Sequence, residues 1–141
     1  MADKEPVYDK SRPRPSIRPF YHYPLFNGPG KCAIGLIVDF PPNASTPPHR
    51  HGGASVVGYV MSGTTLNKMN DEPMKTLKRG DTWYEAPGCH HKISANASST
   101  EPLTLLATFV VDSKVIEEGG FEALVQIDEE YKDAEIPKAD A

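Results

Sequence analysis

The sequence is poor in most of what would mark a specialised class. It has two cysteines, Cys32 and Cys89, in 141 residues. That is too few for a disulfide framework, and it fits a reducing compartment. Positive charge is not in excess either: 15 Lys and Arg stand against 19 Asp and Glu, for a formal net charge of −4. Arg12, Arg14 and Arg18 form only a thin basic cluster, too sparse to track phosphates, so no nucleic-acid partner is expected. No apolar run approaches the roughly eighteen residues that a membrane helix needs. The opening MADKEPVYDK has no apolar segment of the secretory kind, so the expectation is a soluble, cytoplasmic protein with no membrane partner.

Proline and glycine are plentiful instead, at 14 and 11 residues, and they cut the chain into short pieces. The length suits one domain. Residues 1–19 are polar and carry Pro6, Pro13, Pro15 and Pro19 with no hydrophobic period, which predicts a flexible, extended arm. Phe20-Tyr21-His22-Tyr23 at its end is aromatic enough to anchor it, and a partner subunit is one surface it can pack along. The barrel itself is expected over 20–112. Ala33–Phe40 and Ser55–Met61 read as β-branched strands, and Thr64–Met69 and Met74–Leu77 as a hairpin around Asn70-Asp71-Glu72-Pro73. Thr82–Glu85 and His91–Ser94 read as short strands. Leu103–Val111 is apolar on both faces, which predicts a strand sandwiched between layers. Short strands at close spacing indicate an all-β barrel or sandwich. Beyond Asp112 lies an acidic C-terminal extension, 113–141, expected to be partly disordered. In it, Phe121–Ile127 reads as a short helix or an edge strand, and periodicity does not choose.

The chemistry concentrates in histidine. His49-Arg50-His51 puts two imidazoles on one side of an extended segment, as two ligands of one ion require. Alone, the pair reads equally well as two solvated loop histidines. A second element adds weight: Gly80-Asp81 opens a turn, a short strand follows, and Pro87-Gly88-Cys89-His90-His91 ends it. Together these segments resemble the two motifs of the cupin superfamily, over roughly residues 30 to 112. His49, His51 and Gly63 match the first motif; Gly80, Gly88 and His91 match the second, with Pro87 displaced by one position. PGKCAIGLIVDFPP, PPHRHGG and YEAPGCHH also look like a subgroup of small single-cupin proteins from bacteria and fungi, some of which look like tailoring proteins of natural-product pathways.

The resemblance implies a jelly-roll-like β-barrel with one divalent transition metal ion on His49, His51 and His91. It also exposes a departure. The glutamate ligand of the first motif would fall at Val56, or at Ser55 with the shorter spacing; valine cannot bind a metal and serine is a poor ligand. Three neutral imidazoles are left, an arrangement similar to that of several iron-dependent dioxygenases. Glu85 is the candidate to restore a carboxylate, as ligand or acid/base group, though alternation along so short a strand does not say whether it points inward. His90, next to His91, should face the other way, as a supporting or surface residue. Cys89 reads as a small buried thiol rather than a nucleophile, and Trp83, Tyr84 and Tyr59 as barrel packing, with stacking on a flat substrate as the sharper alternative.

The implied function is that of a metal-dependent enzyme acting on a small aromatic or enolisable carbonyl compound. Fe(II) dioxygenase chemistry is slightly favoured because the carboxylate is missing; Zn, Mn, Ni or Cu are the other ions considered. The alternatives are a non-oxidative isomerase, dehydratase or cyclase, and a non-catalytic ligand-binding barrel. A small-molecule substrate and a homodimer that hides an exposed barrel edge are the expected partners.

Overall fold

In a computed structural model, residues 5–132 are described and form two antiparallel sheets packed face to face. The strands are β1 (Ser16–Pro24), β2 (Lys31–Phe40), β3 (Ser45–Thr46), β4 (His49–Arg50), β5 (Ser55–Ser62), β6 (Thr64–Met69), β7 (Lys75–Lys78), β8 (Thr82–Glu85), β9 (His91–Asn96), β10 (Leu103–Asp112) and β11 (Gln126–Ile127). One sheet has the order β1-β2-β10-β5-β8; the other runs β11-β4-β9-β6-β7, with β3 also paired to β9. The chain thus passes repeatedly between layers, which makes the architecture jelly-roll-like. The sheets do not close into one continuous ring, so the expected barrel is in detail a two-layer sandwich.

Strand alternation places the core. On β10, Leu103, Leu105, Ala107, Phe109 and Val111 are buried, and they meet Ile34 and Leu36 of β2 and Val56 and Val60 of β5. Burial of side chains of this size contributes about 1.5–3 kcal/mol each. The other face of β10 is only half-buried. The expectation of a strand enclosed on both sides is therefore corrected: this is an ordinary two-faced sheet, and what partly covers its outer face is aromatic. The ring of Tyr21 lies across Gly35, where a Cβ would come within 2.3 Å of it, and its hydroxyl reaches that of Thr108. Glycine on β2 is what lets the ring lie flat there.

The flanking segments are tied to this frame. The last residues of the proline-rich stretch belong to β1, paired with β2 from Ser16↔Asp39 onward. Before it, Ser45 N–H donates to the Pro13 carbonyl, and Arg12 donates to the carbonyls of Asn43, Ala44 and Asn96. The arm thus lies along the chain's own body. After β10 come helix α1 (Ser113–Gly119), a 3-10 turn (Phe121–Leu124), β11 and a second 3-10 turn (Glu129–Tyr131). Phe121–Ile127 is thus part turn and part edge strand. Leu124 is fully buried in the cluster with Ile34 and Phe109. The end of the expected C-terminal extension, 133–141, lies outside the described residues. Among the described residues, no helix is long and apolar enough to cross a membrane.

Candidate metal centre

β4 and β9 pair at a single position, His49 opposite His91. Alternation along β4 buries His49, turns Arg50 outward and buries His51. The second segment is aimed by a tight turn: Cys89 N–H bonds to the Ala86 carbonyl at 3.0 Å, with Pro87 and Gly88 in the middle and Gly88 at φ +83°. Proline then left-handed glycine is the composition of a type II turn. It reverses the chain between Glu85 and His91, so both face the interior. His49, His51 and His91 each offer a ligand atom, all within 4.8 Å of one another.

Each imidazole is fixed by an acceptor behind it. His49 Nδ1 is 2.7 Å from the Pro47 carbonyl, His51 Nδ1 is 2.7 Å from the Leu124 carbonyl, and His91 Nε2 meets Asn67 Oδ1. A carbonyl or amide oxygen can only accept, so the N–H sits on that side of each ring. The lone pairs of His49 Nε2, His51 Nε2 and His91 Nδ1 remain, and such backing bonds are how metal-ligating histidines are oriented. Sequence reasoning missed these supports. Asn67 was visible in principle, as a polar residue on the buried side of the alternating strand Thr65, Asn67, Met69. The two carbonyls carry no side-chain signal.

Glu85 is 2% exposed and points inward. Its Oε1 lies 3.0 Å from His51 Nε2 and 3.3 Å from His91 Nδ1, and its Oε2 accepts a hydrogen bond from Trp83 Nε1 at 3.0 Å. His51 Nε2, His91 Nδ1 and Glu85 Oε1 are all buried without a hydrogen-bond partner. Three electron-pair donors converging in a dry interior repel one another unless something positive sits between them. A divalent cation meets that need, and nitrogen and carboxylate donors suit a transition ion. The residues therefore fit the ion that the three histidines imply.

Electrostatics agree. Burial, with His51 and His91 adding to it, drives the His49 pKa well below its ordinary value, so its imidazole is neutral. Burial pushes the Glu85 carboxyl up, but His91 and His51, when their facing nitrogens carry a proton in place of an ion, outweigh it and hold the group below the ordinary carboxylate range.

The other expected residues fall elsewhere. Ser55 turns away, its hydroxyl 3.2 Å from that of Tyr84. Tyr59 and Tyr84 are on the outer face at 39% and 58% exposure; the reading of them as interior packing is corrected, because both are out of phase with buried Val60 and Glu85. Trp83 does face inward. His90 faces away from the centre, with Nε2 2.9 Å from Asp128. Cys89 is only partly buried and accepts from Asn70, and His22 packs edge-on against Phe121.

A two-sheet β jelly roll that buries three histidines at its centre defines a class of small β domains with a site able to hold a metal ion. The chain belongs to the cupin family: the cupin domain matches residues 36–109. Several solved structures share the fold. A conserved protein with a double-stranded β-helix domain from Klebsiella pneumoniae is 16% identical, with TM-score 0.58 over 78% of this chain and 93% of that one. An oxalate oxidase in complex with the substrate analogue glycolate is 20% identical, with TM-score 0.54 over 81% and 63%. A DMSP lyase from Ruegeria pomeroyi is 21% identical, with TM-score 0.51 over 62% and 45%. The chain spans under two thirds of the length of either enzyme. No curated protein sequence matches it significantly.

Proposed function

We propose that this cupin is a metal-dependent enzyme acting on a small enolisable carbonyl compound, with Glu85 as the proton acceptor. The observation that carries this is the meeting of Glu85 Oε1 with His51 Nε2 and His91 Nδ1 inside an apolar cavity. His49, His51 and His91 would hold the ion, which when bound supplies a Lewis acid for a carbonyl oxygen or a site for dioxygen. Trp83 Nε1 holds Oε2 of Glu85, so Oε1 keeps two lone pairs, one that would face the ion and one to take a proton from the carbon beside the carbonyl. Leu36, Val56, Leu105 and Phe109 wall the cavity and keep water from that carboxylate.

The preference for dioxygenase chemistry rested on the absence of a carboxylate. With Glu85 inside, a non-oxidative isomerisation, dehydration or cyclisation stands first, and oxygen chemistry on Fe(II) second. That an oxalate oxidase and a lyase share the fold is compatible with either. Elemental analysis of protein purified without chelator, then proton–deuterium exchange into 1,3-dicarbonyl probes under nitrogen, tests the reading. Exchange that needs the ion and is lost in Glu85→Gln is expected. An ion content below about a tenth of an equivalent after metal-supplemented expression would leave a non-catalytic binding barrel instead. Exchange that is absent, with oxygen uptake on Fe(II) loading, would favour the dioxygenase.

A homodimer belongs to the same proposal. Val57, Tyr59, Met61 and Tyr84 expose 39–58% of their surface on the outer face of one sheet, an apolar patch of the kind that marks an interface. A monomeric mass by light scattering would contradict it.

A further inference from the structure

The metal cavity is small, about 50 Å³, and beside it lies a chamber of about 460 Å³. Ile17, Leu36, Thr46 and Val125 line both, so the chamber is the approach to the histidines. Its volume suits a small organic molecule. Most of its wall comes from outside the matched cupin stretch: Arg14, Pro15, Ile17 and Pro19 from the arm and β1, and Phe121, Val125 and Ile127 from the C-terminal extension. The shared fold provides the metal centre, whereas these flanking segments decide what reaches it.

Arg14 is the unexplained group in that wall. It is 4% exposed. Its Nη2 donates to the Tyr131 carbonyl at 3.2 Å, while its Nε is buried with no hydrogen-bond partner. Among the described residues no carboxylate forms an ion pair with it. A guanidinium buried against apolar surface without a counter-charge is strongly destabilising unless an anion completes it. Its place is also fixed, since the Ser45 N–H holds the preceding Pro13 carbonyl at 2.8 Å. Glu122 is the other charged residue lining the chamber, and it is exposed.

We propose that Arg14 determines specificity by binding the carboxylate of an apolar monocarboxylic acid, whose hydrocarbon body fills the chamber and whose far end reaches the histidines. The planar fork of arginine suits a carboxylate. A phosphate dianion would find one guanidinium, one of whose N–H groups is already used, and an acidic Glu122 nearby; a singly charged head is the better match. The inference rests on the reading of the histidine centre as the reacting site, and it narrows the substrate class to amphipathic acids.

The test is binding of 2-naphthoate and its neutral isostere 2-naphthamide to the full chain, as purified and again after chelation, followed by calorimetry. The acid is expected to bind about tenfold or more tighter than the amide in both preparations. Arg14→Met should abolish that preference while amide binding persists, which shows the chamber intact; Arg14→Lys should keep part of it. Equal affinity for acid and amide in the unaltered protein, or a preference that survives Arg14→Met, overturns the proposal. So does a preference that disappears on chelation, because the ion and not Arg14 would then be holding the acid. A preference that persists in protein found to hold no metal supports the role of Arg14 while the proposed enzymatic function fails.

Discussion

Glu85 on β8 stands directly opposite Val56 on β5, and both side chains are buried against the same cavity. The motif resemblance puts the glutamate of the first cupin motif at Val56, or at Ser55 with the shorter spacing. Glu85 supplies a carboxylate to that cavity from the neighbouring strand, within reach of His51 and His91. Directly opposed residues hold their Cβ atoms about 5 Å apart, a gap that a glutamate side chain spans.

This relationship predicts an exchange. Glu85→Val should weaken metal binding about 10–100-fold, within the range for groups that support or complete a metal site. Adding Val56→Glu should restore most of it, because the carboxylate returns to the same cavity from the other strand. Competition with a chromophoric chelator measures both. No recovery in the double variant would show that the two positions are not equivalent.

Asn67 gives a second prediction. Its amide oxygen faces His91 Nε2 and so sets which nitrogen of that ring is free. Asn67→Leu removes the acceptor, and metal affinity should fall about tenfold or more. Urea unfolding of the metal-free protein should show a loss of about 1–3 kcal/mol, since a buried N–H is left unsatisfied.

Gly58 underlies the position of Trp83. A Cβ there would lie 2.2 Å from the indole ring, so Gly58→Ala must push the ring aside. A cost of about 1–3 kcal/mol is expected for such overpacking. The displaced indole also loses its bond to Glu85. Trp83 is the single tryptophan, so its emission reports the change directly, and in the unaltered protein the same emission should respond to added metal.

The pH dependence follows from two depressed groups. His49 has a folded pKa below its ordinary 6.5, so the unfolded chain binds the proton more readily. The contribution of this site to stability is complete above pH 6.5 and is lost as pH falls. Glu85 is likewise depressed from 4.5, and its contribution, present above that pH, disappears on further acidification. Metal-free protein should therefore weaken steadily from pH 7 downward in urea titrations. His49→Gln should flatten the slope between pH 7 and 5.5, and an unchanged slope there would assign it to other groups.

The sequence by itself determined the longer strands other than β1, which it read as part of a flexible arm, and it singled out the three histidines. Runs of β-branched and apolar residues broken by Pro and Gly admit few other local structures, so β2, β5, β6 and β10 lie within about two residues of where those runs fall. His49 and His51 share a side because two residues make one strand period. Tertiary structure decided everything that depends on strand pairing. Thr82–Glu85 is too short for alternation to say which side is inward; only its register against β5, with Glu85 on Val56, turns the carboxylate into the cavity. The acceptors behind His49 and His51 are backbone carbonyls, which every residue has, and that of Leu124 comes from 73 residues away in sequence. The chamber likewise needs Arg14 and Phe121 brought together from opposite ends of the chain. Local sequence specifies what a strand presents, but which strand it meets is settled by the packing of the whole.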